Sequence, residues 1–178
     1  MINFEQYLIE RKSSSAGQQV KRKVNIEQLK QMIANKDSDI ADVDVSDIID
    51  MSYLFKNSDF GGSWTADLSG WDTSNVEDMQ SMFNGCTNLK EVSLPHTENV
   101  MNMSNMFLGC TSLKEVSLPH TENVKNMWNM FAGCKNLLQD FSSWNITNVK
   151  DKYNMFKGCT KMEDAYKDGK RYYPKGYK

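Results

Sequence analysis

The sequence has almost no excess of charge: 21 basic and 23 acidic residues leave a formal net charge of −2. That argues against bulk electrostatic attraction to nucleic acid or to an anionic membrane. No apolar run approaches the roughly 20 residues a membrane span needs. The opening "MINFEQYLIERK" lacks the basic start, apolar stretch and small-residue cleavage site of a secretion signal. The expectation is therefore a cytoplasmic or virion-associated protein, or a cell-surface one if a leader has been removed. Motifs of chemistry are missing as well. There is no G-x-x-x-x-G-K-S/T phosphate loop, no G-x-S-x-G, no H-E-x-x-H and no C-x-x-C pair. No cofactor, metal or catalytic residue is expected.

What is present is repetition. The 24 residues "NVMNMSNMFLGCTSLKEVSLPHTE" from Asn99 to Glu122 nearly repeat the stretch before them. Met-Phe pairs mark the copies at Met82-Phe83, Met106-Phe107, Met130-Phe131 and Met155-Phe156, with Leu54-Phe55 in an earlier copy. Ten of the twelve methionines fall between Met51 and Met162. They read as packing residues of a repeat.

Each copy has two halves. In the first, Val76, Met79, Met82 and Phe83 sit at i, i+3, i+6 and i+7, the spacing of one helix face. Val100, Met103, Met106 and Phe107 repeat the pattern, as do Val124, Met127, Met130 and Phe131. Gly85, Gly109, Gly133 and Gly158 follow, where a helix would end. In the second half, Val92 and Leu94 alternate around Ser93 as in a short strand, and Pro95 stops it. Val116, Leu118 and Pro119 do the same. A single unit cannot bury its own apolar face, whereas a stack can. The expected fold is α/β: a short leucine-rich-repeat-like solenoid of about five strand-helix coils, a parallel strand ladder and an N-terminal helical cap. Met79, Met82, Phe83, Met103, Met106, Phe107, Met127, Met130, Phe131, Met155 and Phe156 form its expected core.

The chain divides on this reading into five parts. Residues 1–12 are an amphipathic segment, and 13–24 a flexible basic linker. Residues 25–46 are a cap coil, with Ile26, Leu29, Met32 and Ile33 on one helix face behind an Asn25–Gln28 capping box. Residues 47–163 are the solenoid, closed by a last helix within "DKYNMFKGCTKMEDAY". Residues 164–178 are a basic, Tyr-rich tail.

The stretches "DVDVSDIIDMSYLF", "ADLSGWDTSNVEDMQSMFNGCTNL" and "FSSWNITNVKDKYNMFKGCT" resemble the BspA-like leucine-rich-repeat family of bacterial surface proteins. The likeness covers roughly residues 38–163. It implies a small curved solenoid with a binding or adhesive role and no enzymology.

Candidate sites are weighed against plain packing. Cys86, Cys110, Cys134 and Cys159 recur once per copy, as a reduced buried ladder would, although neighbouring copies bring them near disulfide range. His96 and His120 are a surface pair or, with Glu98 and Glu122, a metal-binding one. Asp42, Asp44, Asp47 and Asp50 lack the Gly-centred turn and distal Glu of a calcium loop. Trp64, Trp71, Trp128 and Trp144 break the repeat, so they are candidate anchors for a protein partner. Packing is the competing role for Trp71 and Trp144, which stand where other copies have proline. Lys125 also varies between copies. Phe4, Tyr7 and Leu8 make the first segment a candidate docking tag. That segment resembles the short N-terminal segments on proteins of tailed-bacteriophage heads. Two functions follow: a non-catalytic protein-binding or adhesion module, or a head-associated phage component docked through its first residues. Their partners are an unidentified protein, or virion proteins and self-assembly.

Overall fold

The computed structural model of the protein describes residues 21–58 and 64–177. Among them are two small parallel sheets. Strand β1 (Arg22–Lys23) pairs with β2 (Val43–Asp44). Strands β3 (Trp64–Asp67), β4 (Leu89–Ser93) and β5 (Glu115–Ser117) form the second sheet in that order. Val92 lies opposite Ala66 on one side and Val116 on the other.

Helix α1 (Ile26–Asn35) follows β1. Asn25 caps it reciprocally with Gln28: each accepts a backbone N–H from the other, at 2.9 and 3.0 Å. Its apolar side buries Leu29, Met32 and Ile33. Lys36 ends it in the left-handed conformation. The basic run assigned to a linker is therefore ordered in part: Arg22 and Lys23 are paired, and Val24 is buried. Helix α2 (Thr160–Lys167) starts only after the last Met-Phe pair.

The helices expected in the repeated half are not there. Residues Val76–Cys86 and their counterparts run as successive tight turns. Two kinds of residue forbid a helix. Ser81, Asn105, Asn129 and Asn154 are left-handed, with φ between 52 and 57°, and so are Gly85, Gly109, Gly133 and Gly158, at 73 to 77°. Asn tolerates that region and Gly has no Cβ to oppose it. The second reason is where the backbone donors go. Within the copy, Met82, Asn84 and Cys86 donate three residues back, to Met79, Ser81 and Phe83. The alternate donors leave the copy: Met79, Ser81, Phe83 and Gly85 donate to Asn102, Ser104, Met106 and Leu108 of the next one. The same four-bond pattern joins Met103–Gly109 to Asn126–Ala132, and Met127–Gly133 to Asp151–Lys157. Met and Phe thus recur every three or four residues because each turn takes about three, which mimics helical spacing.

Every turn segment points its Met and Phe inward. Phe55, Phe83, Phe107, Phe131 and Phe156 form a ladder of stacked rings, with centroids 5.1 to 5.5 Å apart. All eleven residues expected in the repeat core are buried. Each such side chain contributes roughly 1.5–3 kcal/mol of apolar burial. Beside the rings runs a thiol ladder: Cys86, Cys110, Cys134 and Cys159 donate S–H to the carbonyls of Phe55, Phe83, Phe107 and Phe131, at 2.9 to 3.1 Å. All four are free and buried.

Both ends of the stack are covered. At the first, Trp71 is buried beyond Phe55, and its indole N–H donates to Ile40 at 3.0 Å. At the other, the Tyr-rich tail folds back. Tyr173 and Tyr177 meet Phe156 edge-on, at 5.2 Å each. The N–H of Phe156 donates to the Tyr177 hydroxyl at 3.2 Å, and that of Gly158 to the Glu163 carboxylate at 3.0 Å. Side chains thus take the donors that a further copy would have taken.

Candidate functional site

Asp50, Asp78, Asn102, Asn126 and Asp151 stand in register as parallel bridges, one per copy. Each folds its own chain locally. A side-chain oxygen accepts the N–H two residues on, at Ser52, Gln80, Ser104, Trp128 and Tyr153, over 2.7 to 3.1 Å. That turn leaves the residue before each bridge exposed, and the one two places after it exposed at Trp128 and Tyr153, half-buried at Ser52 and Gln80 and buried at Ser104. One outward column is therefore Ile49, Glu77, Met101, Lys125 and Lys150, all exposed. Four backbone bonds of 2.8 to 2.9 Å tie its five members together, each of the last four donating its N–H to the carbonyl one copy earlier. The second column is Ser52, Gln80, Ser104, Trp128 and Tyr153.

Both columns flank the one line of bridges, and side-chain bonds run along that line. The Gln80 amide donates to the Tyr53 hydroxyl at 2.7 Å. The Asn102 amide donates to Asp78 at 3.1 Å. Among the described residues, six large apolar side chains are markedly exposed: Ile49, Tyr53, Met101, Trp128, Leu138 and Tyr153. All but Leu138 stand in the two columns or, like Tyr53, beside them. Trp128 is 42% and Tyr153 70% exposed. The charge on the face is divided. Asp47, Asp50, Glu77 and Asp78 occupy the first copies, with Lys56 lying over the Tyr53 ring. Lys125 and Lys150 occupy the last ones, beside Asp151.

The candidate anchors separate accordingly. Trp128 is on the face. Trp71 is 1% exposed and belongs to the core, so its reading as a partner anchor is corrected. Its proline-matched position gives it a flat ring to close the Phe ladder. Trp144 is half-buried against Phe141 and Phe131, with centroids at 4.8 and 6.0 Å. The backbone of Trp64 is in β3, while its side chain, like Phe4, Tyr7 and Leu8, lies outside the described residues. Sequence reasoning missed Ile49, Tyr53, Met101 and Tyr153. For Ile49 and Met101 the signal was present: the position before each bridge reads Ile, Glu, Met, Lys, Lys while the buried positions barely change.

The other clusters serve local structure. Burial pushes the Cys86 and Cys159 thiols up to about 12, and those of Cys110 and Cys134 well above the usual value. Such thiols stay protonated at neutral pH and are poor nucleophiles. His96 and His120 each face the glutamate two residues on, Nδ1 to Oε1 distances being 3.9 Å to Glu98 and 3.5 Å to Glu122. Backbone hydrogen bonding holds the Glu122 carboxyl below its ordinary range, with His120 adding to it. Among the described residues no group of three His, Cys, Asp or Glu is placed to hold a metal ion. Of the acidic cluster, Asp44 accepts from Ser46, Asp47 pairs with Lys23 at 2.7 Å and Asp50 makes its bridge turn. Burial raises the Asp42 carboxyl. Among the described residues no helix is long and apolar enough to cross a membrane.

The family described as "Mycoplasma protein of unknown function, DUF285" matches residues 13–114 and again 87–170. The chain belongs to that family. The two DUF285 matches overlap across Thr87–Lys114, about one copy in length, as an internally repetitive chain allows. No curated protein and no solved structure matches the chain. For this DUF285 member the bridge face and the covered ends supply the functional argument.

Proposed function

We propose that the chain is a non-catalytic protein-binding module, built on a short solenoid of the BspA-like leucine-rich-repeat kind with turns in place of helices. One observation carries the reading: five of the six large exposed apolar side chains gather on the bridge face, where the copies differ, while the positions that specify stacking repeat. Aromatic and Met side chains are enriched in recognition surfaces, in which a few aromatic anchors dominate the binding energy. Stacked copies make such a surface continuous and stiff.

The reading is tested by capture. The immobilised full chain is compared with a Met101→Ser, Trp128→Ser, Tyr153→Ser variant of unchanged far-UV circular dichroism. A protein retained by the first and lost from the second is the expected result. Equal retention by both, or retention of neither another protein nor a second, soluble copy of the chain, overturns the proposal.

A further inference from the structure

Resting on that reading of the bridge face, we infer that its partner is a second copy of the same chain, packed face to face about a two-fold axis through the copy of Met101. The face is self-complementary when reversed along the stack. A two-fold axis that runs along the chain direction keeps each column opposite itself and inverts the order of the copies. Met101 then meets its symmetry mate on the axis. Glu77, one copy before, meets Lys125, one copy after, and the pair occurs twice. In the second column Trp128 comes over Gln80, and Tyr153 over Ser52 beside Tyr53. The bulky aromatic side chains of the last copies thus meet the small ones of the first. Ile49 meets the aliphatic stem of Lys150. Asp78 faces Asn126. Asp50 faces Asp151, a like-charged pair, with Lys150 next to it.

The division of charge is what commits the face to this occupant. An acidic partner would be repelled by Asp50, Glu77 and Asp78, and a basic one by Lys125 and Lys150. A partner acidic at one end and basic at the other satisfies both, and the inverted chain is one. The covered ends point the same way. Capping at Trp71 and at Tyr177 opposes end-to-end stacking, so association through the lateral face closes at two copies instead of running into a fibre.

The test is sedimentation of the full chain across a range of loadings, with Glu77→Lys, Lys125→Glu and the double exchange. Both side chains are exposed, so the fold is retained, and circular dichroism checks it. The wild type should sediment as a dimer. Each single exchange sets like charges opposite each other twice and should weaken the dimer by roughly tenfold or more. The double exchange should restore it, and added salt should weaken the wild type. A wild type that is monomeric at every loading overturns the inference, as does a dimer indifferent to the exchanges or one that the double exchange fails to restore. A monomer that still captures another protein through Trp128 keeps the binding-module reading, whereas one that captures nothing loses both.

Discussion

The turn half of each copy continues through all five copies, whereas the strand half stops after three. From Asp50 to Asp151 the bridges recur without a gap. The strand ladder ends at β5, and there a side chain takes the place of the next strand. The Val116 N–H donates to Gln139 Oε1, and Gln139 Nε2 donates to the Val116 carbonyl, both at 2.8 Å. One amide group satisfies both edge groups of the middle residue of β5. The difference teaches where stacking information lies. The turn half carries the ring ladder, the thiol ladder and four backbone bonds per junction; the strand half can be replaced by a single glutamine.

Alkali should strike the turn half hardest, because the four thiols all belong to it. A thiol whose pKa in the fold lies above its unfolded value keeps its proton while the unfolded chain releases one. Its stabilisation is complete below about pH 9 and is lost as pH rises toward 12. At pH 10.5 the loss should be about 2 kcal/mol for each of Cys86 and Cys159. Urea denaturation at pH 7.5 and 10.5 measures it, and a Cys86→Ala, Cys159→Ala variant should show a flatter profile.

Next in size is a direct contrast of the halves. Phe107→Ala removes a ring stacked on both sides and should cost about 3–5 kcal/mol. Val92→Ala in the central strand β4 should cost about 2 kcal/mol. Equal losses in denaturant would mean that the halves share the work. Gln139→Ala should cost about 1–2 kcal/mol by leaving the Val116 groups open, and should also raise light scattering as the β5 edge becomes available. The smallest effect expected is Gly109→Ala. Nothing lies within 4 Å of the position its Cβ would take, so only the left-handed backbone, at φ 74°, opposes it, by about 1 kcal/mol. At Gly85 the added Cβ would also meet the Asn57 side chain, which must move aside, and the change should cost more, which a parallel denaturation curve would show.

Much of this was legible in the sequence and some of it was misread for a physical reason. The period, the inward Met and Phe, the Asn25 cap and the apolar side of α1 follow from spacing alone. The helices did not, because a run of three-residue turns and a 3.6-residue helix bury nearly the same positions over two turns. The discriminating signal is polar: Asn105, Asn129 and Asn154 stand at left-handed positions, and Asp78, Asn102 and Asn126 supply the turn-forming oxygen. Helix-interior positions do not favour such residues. The folding back of the tail was hidden for another reason. Tyr173 and Tyr177 find their rings only in three dimensions, and "KRYYPKGYK" has no period to announce it.

The four-bond junction has a further consequence. Each turn segment offers its neighbour the same donors and receives the same acceptors, whichever copy it is. Duplicating the 24 residues from Asn99 to Glu122 would leave the cap at Trp71 and the cap at Tyr177 with the partners they already have. Such a gene can lengthen or shorten its product by whole units, and near-identical tandem stretches are where recombination slips. The number of copies is then a heritable variable, set between two fixed ends.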